Sequence, residues 1–303
     1  MHAHSHVDLP KRWRFLSSVA IAFFIAIDPA FADGWIDIEP ALVHYDNLTR
    51  AQHAADRRSD TAAALQASAA YLLALTGADT IGGSLDVRGE AYRQYPRLDV
   101  MALGAGASYR HKFGLGSTMP WMLASVSYAR EDYRDDLRDG ERLRLALEIG
   151  RRVSDALDVA AGISAEHRSG DFNPPPPLPG YSARVFDLRG KSAYARTGVA
   201  LSDRLFLSAR LTVRRGDVES TAQQGFAIFV ASDAIAQDPA FRDPSLYAYR
   251  LHATTYSAQL TASWAMSDRA SVNLTYADNR SRAAYDLSYD DRALRVSVAL
   301  RYP

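Results

Sequence analysis

Val153-Ser154-Asp155-Ala156-Leu157, Leu201-Ser202-Asp203-Arg204-Leu205 and Met266-Ser267-Asp268-Arg269-Ala270 are three versions of one short junction. Each lies between segments in which apolar and polar residues alternate. Tight junctions near 77–80, 114–119, 154–157, 202–204 and 267–269 alternate with polar stretches at 46–60, 95–97, 133–140, 169–186, 217–248 and 281–290. All but 95–97 of the second set are longer. Short turns at one end and long loops at the other are the signature of a meandering sheet that closes and crosses a bilayer.

Working outward from these junctions gives about twelve strands: 34–45, 61–76, 81–94, 98–113, 120–132, 141–154, 157–168, 187–201, 204–216, 249–266, 270–280 and 291–302. An even number puts both termini at the short-turn end, the periplasmic side of a bacterial barrel. The long stretches are then extracellular. Period two is the strand signal. In 204–216, Leu205, Leu207, Ala209, Leu211 and Val213 share one face, and Phe206, Ser208, Arg210, Thr212 and Arg214 the other. In 249–266, Tyr256, Ala258, Leu260, Ala262 and Trp264 oppose Thr255, Ser257, Gln259, Thr261 and Ser263. In 291–302, Leu294, Val296, Val298, Leu300 and Tyr302 oppose Arg295, Ser297, Ala299 and Arg301. The segment 187–201 alternates least clearly.

The N-terminus has the parts of an export signal. Lys11, Arg12 and Arg14 precede an apolar run from Phe15 to Ile27, and Ala30-Phe31-Ala32 forms a small-x-small cleavage site. That run is thirteen residues long and holds Ser17 and Ser18, whereas a spanning helix needs about 20 apolar residues. The expected division is a signal peptide over 1–32 and a barrel domain over 33–303. The chain has no cysteine, so the fold uses no disulfide. Its 35 basic and 35 acidic residues balance, which gives no reason to expect nucleic acid. No metal or other cofactor is expected: His2, His4 and His6 alternate like ligands but precede the apolar core of the signal.

A soluble sandwich or lipocalin-like barrel would turn its apolar face inward. Two features favour the membrane arrangement. The polar face is rich in Ser, Thr, Gly and Arg on nearly every strand, which suits a wet interior. Aromatic residues (Tyr71, Tyr109, Phe113, Tyr128, Trp264, Tyr276 and Tyr302) lie on the apolar face near strand ends, where membrane girdles sit.

The last strand, Arg295-Val296-Ser297-Val298-Ala299-Leu300-Arg301-Tyr302, resembles the C-terminal strand of proteobacterial outer-membrane β-barrel proteins. The family usually closes on a terminal aromatic; here Pro303 follows Tyr302. The hairpin from Tyr276 to Arg292 is similar to those that close many such barrels. The resemblance implies an all-β, transmembrane, antiparallel up-and-down barrel in a bacterial outer membrane. It also implies lipid and lipopolysaccharide around the barrel and the barrel assembly machinery as a partner in biogenesis. It names no substrate.

Three places could carry chemistry. The first is the interior. Inward positions would include Arg88, Arg110, Lys112, Arg142, Arg144, Arg152, Arg196, Arg210, Arg214 and Arg295, with Asp37, Glu39, Asp86, Glu90, Glu131, Glu148 and Glu166 as their acidic complement. Arg110, Lys112, Arg144, Arg210, Arg214, Arg295, Glu39, Asp86 and Glu148 are the candidate pore-lining set. They would form either a charged constriction for a small polar solute, with an excess of Arg that leans toward anions, or a cross-paired filling of the lumen. The second is the loop 217–248. Its run Gly225–Ala231 is too apolar to hang in water, and Ser232-Asp233 would cap a short helix through Ala236. This loop would either fold into the mouth or pack over its neighbours. The third is His167 with Ser169, on the lipid face near the outer rim. They resemble the base and nucleophile of outer-membrane phospholipase A, a twelve-stranded barrel. That family follows its Ser with Asn-Gly, where this chain has Gly170-Asp171. Chance pairing is the competing reading. Lastly, Asp132, Asp135, Asp136 and Asp139, interleaved with Arg134 and Arg138, would form a solvated loop or hold divalent cations. Pro174 to Pro177 would be a stiff spacer.

Overall fold

Each strand of this chain has one face that lipid accepts and one that water accepts, so the segments pair edge to edge and the sheet can close. The computed structural model describes residues 32–172 and 180–303. The signal segment expected at 1–32, apart from Ala32, and the Pro174–Pro177 spacer fall outside them. Thirteen strands result: β1 (Ala32–Tyr45), β2 (Asp60–Ala74), β3 (Asp79–Tyr92), β4 (Val100–Lys112), β5 (Trp121–Tyr133), β6 (Gly140–Arg152) and β7 (Leu157–Gly170) come first. They are followed by β8 (Leu188–Ala200), β9 (Leu205–Gln223), β10 (Ser232–Gln237), β11 (Leu246–Ser267), β12 (Ala270–Ala283) and β13 (Ser288–Tyr302). A short helix, α1, spans Phe226–Ala231.

Twelve strands form the wall. Neighbours pair antiparallel from β1 to β9; β9 then pairs with β11, and β13 returns to β1 through Ile36↔Tyr302 to Tyr45↔Ala293. The repeated Ser-Asp junctions are tight for a local reason. The Ser202 Oγ accepts hydrogen bonds from the Arg204 and Leu205 amides at 3.3 and 3.1 Å. Ser154 does the same for Ala156, and Ser267 for Arg269. A side-chain oxygen thus satisfies backbone donors that the turn leaves unpaired.

The apolar face points out. Leu42, Leu65, Leu145, Ile163, Leu211, Leu260, Val296 and Val298 are exposed on the outer wall, as is Tyr302. Phe113, Trp264 and Tyr302 stand at the short-turn ends, and Tyr128 and Tyr256 toward the long-loop ends. Exposed leucine all round a closed sheet is stable only in lipid.

Two strands outgrow the wall. β8 stops pairing with β9 at Gly190↔Gly216, yet β9 runs on to Gln223 against β11, down to Leu246. On the other edge of this extension, β10 takes the place that β12 leaves, from Ser232↔Leu251 to Gln237↔Tyr247. The helix expected after Ser232 is therefore a strand. The helix lies just before it, in the apolar run, and Ser232 is its C-terminal cap, with Oγ donating to the Phe229 carbonyl at 2.8 Å. The strand wins because Ala234, Ile235 and Ala236 are all buried between two layers, where an edge of β11 offers unpaired backbone.

Candidate functional site

The concave face of the barrel collects the polar side chains. Arg196 on β8 lies over the Trp121 ring of β5, with 5.9 Å to its centroid. Those strands are three steps apart on a wall where strands are about 4.8 Å apart, so the two meet only by projecting into the lumen. Register places all nine candidate pore residues on this face.

Their environments differ. Glu39 is bound by Arg295 at 3.0 Å, and Glu148 by Arg196 through two hydrogen bonds of 2.8 and 3.1 Å. Asp86 accepts from the Ser84 hydroxyl at 3.0 Å and has no arginine partner among the described residues. Glu131 is almost fully buried and takes Arg142 and Arg168, each at 2.9 Å, with Arg88 at 3.5 Å. By contrast, Arg110, Lys112, Arg144, Arg210 and Arg214 have no carboxylate within 4.0 Å among the described residues. Arg110 rests on Trp121 and Arg210 on Tyr194, the latter 3.9 Å from the ring centroid. Arg214 donates to the Asp217 carbonyl at 2.8 Å. Two glycines make room for this layer. A Cβ on Gly162 would stand 2.6 Å from the Tyr194 ring, and one on Gly190 would stand 2.5 Å from the Arg214 guanidinium.

Arg144 and Arg210 meet at a lumenal cavity of about 310 Å³, which Ser192, Thr212, Ser257, Gln259 and Asn279 complete. With two guanidinium groups, five neutral polar side chains and no carboxylate in its lining, it suits an anionic or polyhydroxylated solute. The arginines come from β6 and β9, so the cavity lies across the barrel rather than in its wall.

The extension of β9, β10 and β11 lies across the extracellular mouth and touches every loop at that end. Its turn at Pro239–Phe241 reaches the far side, where Phe241 packs on Tyr95 with ring centroids 5.2 Å apart and joins Leu48, Leu98 and Leu246. Ala234, Ala236 and Ala248 pack on Val185, Phe186 and Leu137. Tyr249 and Leu251 pack on Leu287 and Tyr289. The Thr221 amide donates to the Thr49 carbonyl at 2.7 Å. Both alternatives for loop 217–248 thus coincide: it covers the mouth by packing on its neighbours.

Arg138, on the β5–β6 loop, is the polar centre of this lid. It pairs with Glu219 on β9 and with Asp238, which is fully buried, at 2.7 Å. The Thr221 hydroxyl donates to the same Asp238 oxygen at 2.7 Å. Burial works against the Arg138 charge, but Asp238 and Glu219 outweigh it and raise its pKa above the ordinary guanidinium value. Burial likewise opposes ionisation of Glu219, and Arg138 with Arg50 overcomes it and holds the carboxyl below the usual range. Sequence reading placed Arg138 in a solvated acidic loop. The acids there are occupied locally instead: Asp135 accepts from the Leu137 amide, Asp139 from the Tyr133 amide at 2.6 Å, and Asp132 from Arg130 at 3.3 Å. Among the described residues no cluster of His, Asp and Glu is arranged to hold a metal.

His167 and Ser169 lie on the outward face of β7, opposite Leu143 and Glu141 on β6. Residues two apart on one strand face can bond through their side chains, as Ser84 and Asp86 do at 3.0 Å; His167 and Ser169 make no such hydrogen bond with each other.

No protein-family model matches the chain, and no curated protein matches it. Solved structures do. The outer-membrane channel COG4313 from Pseudomonas putida F1 matches with a TM-score of 0.54 at 10% identity, covering 91% of this chain and 97% of that one. The translocator domain of the autotransporter NalP from Neisseria meningitidis matches with 0.48 at 15% identity, covering 95% and 94%. The KdgM porin in complex with oligogalacturonate matches with 0.48 at 10% identity, covering 88% and 99%. The architecture of this chain is that of a bacterial outer-membrane β-barrel.

Proposed function

We propose that the barrel is a lidded channel for a small polar solute, with a preference for anions. The observation that carries this is the cavity between Arg144 and Arg210. Most lumenal carboxylates are neutralised by arginine, so the charge left free in the lumen is mainly positive. A sealed, structural lumen would pair its arginines, since unpaired buried charge is costly; free ones need water or a solute. The likeness to the COG4313 outer-membrane channel supports the reading at the level of architecture only.

The test is conductance in planar bilayers under a salt gradient. Discrete steps with an anion-selective reversal potential are expected, and Arg144→Ala with Arg210→Ala should move that potential toward zero. A barrel that is folded by heat-modifiability yet gives no steps, with the lid intact or loosened, would remove the proposal.

One observation favours a second reading. The lid joins every extracellular loop into one packed layer, which is what a non-conducting surface protein that presents a rigid epitope would need. Silent bilayers together with a loop-dependent binding partner would select it. An esterase at Ser169 gains no support from the structure, in which His167 makes no hydrogen bond to Ser169. Unchanged phospholipid hydrolysis in Ser169→Ala disposes of it.

A further inference from the structure

The outer wall is not uniform. On β8 and β11, Ala193, Ala195 and Ala258 keep the outer wall low, and beside Leu211 and Val213 of β9 and Tyr256 of β11 it is hollowed to a depression of about 580 Å³. This explains why 187–201 alternates poorly: its outward face runs Lys191, Ala193, Ala195 and Thr197, with little bulk to set against the polar face.

Directly above the depression, register aligns Lys191 on β8, Arg215 on β9 and Arg282 on β12 in one row across the outward face, with Thr254 between them. All three are exposed. The row sits just below Gly190↔Gly216, where the β8–β9 wall ends, hence at headgroup level. Arg280 and Arg292 flank the depression, sharing Asp278 at 2.9 and 3.4 Å. The β5–β7 rim is the opposite case. There Arg130 is held by Asp171 and by Asp132 at 3.3 Å, and Glu141 stands beside it. Uncompensated basic charge at this level is thus a property of the hollowed sector and not of the whole rim.

We infer that this sector is a binding site for a phosphate-bearing, acylated lipid of the outer leaflet. The row Lys191, Arg215 and Arg282 takes the phosphate, and the alanine-floored hollow takes an acyl chain against Leu211 and Tyr256. Basic side chains bind phosphate through charge-assisted hydrogen bonds, and they do so best where the apolar part of the ligand fixes its position. The site is independent of whether the lumen conducts.

Native mass spectrometry of the full barrel in detergent tests it, with bisphosphorylated lipid A and its dephosphorylated form as probes. Wild type should retain the phosphorylated lipid at least tenfold better than the dephosphorylated one. Lys191→Ala, Arg215→Ala and Arg282→Ala together should abolish that difference. Ala195→Phe with Ala258→Phe, which fills the hollow and leaves the charges, should weaken both lipids. Arg130→Ala on the opposite rim should change neither. Lys191, Ala195, Arg215 and Arg282 are exposed and Arg130 and Ala258 half-buried, and heat-modifiability verifies folding of each variant. Equal retention of the two lipids by wild type, or full retention by the triple variant, overturns the assignment. So does a hollow-filling variant that binds like wild type.

Discussion

Arg138→Met removes the charge at the centre of the lid and keeps an unbranched side chain of similar reach. The arginine side chain is 8% exposed, Glu219 is 19% exposed and Asp238 is fully buried. The variant therefore leaves two carboxylates facing each other with little water. Breaking a buried pair from one side costs about 3–5 kcal/mol. At 1.36 kcal/mol per factor of ten, the closed lid should open about 10²–10⁴ times more often. Amide hydrogen exchange reads this directly. The Asp238 amide, which donates to the Leu246 carbonyl at 3.2 Å, and the Ala240 amide, bound to the Asp238 carboxylate at 3.1 Å, open only with the lid. Their protection should fall by that factor while amides of β2 and β3 keep theirs. Adding Glu219→Gln and Asp238→Asn to Arg138→Met removes the stranded charges and should restore part of the protection. Unchanged protection in Arg138→Met, or a triple variant no better than the single one, would refute the assignment of these three residues as the latch.

The latch also fixes a pH response. The folded pKa of Glu219 lies below its ordinary value, so its stabilising effect is present above the usual carboxylate range and is lost as pH falls through the folded value. Asp135, raised by burial, has the opposite sign and gives a partial offset. Lid protection measured by exchange should be flat from about pH 5 to 8 and weaken below about pH 4. Phe241→Ala empties the anchor on the far side and should cost the lid about 3–5 kcal/mol, seen as faster proteolysis within residues 224–245 with the wall intact. Val296→Arg puts a charge on the lipid face near the middle of β13 and should destabilise the barrel by about 2–4 kcal/mol in urea titrations in lipid vesicles. No loss there would mean that this face is not in hydrocarbon.

The wall was legible because lipid and water stand on opposite sides of one sheet, and every strand must answer both. Leu294, Val296 and Val298 against Arg295 and Ser297 is that answer written as alternation, and the structure keeps it residue for residue. Above Gly216 the rule lapses. Ser220, Thr221 and Ala222 on β9 and Ala234, Ile235 and Ala236 on β10 are buried on both faces, so small size matters there and period two carries no information. The same change of solvent hides the latch. Arg138 is 81 residues from Glu219 and 100 from Asp238, and among local acids it reads as a solvated charge. What makes it a latch is the arrival of β9 and β10 across the mouth, a contact that no local spacing encodes. Sequence reading therefore finds side chains whose partner is a solvent and misses those whose partner is a distant side chain. On this barrel the first set is the wall with its free lumenal arginines, and the second is the lid packed over the mouth.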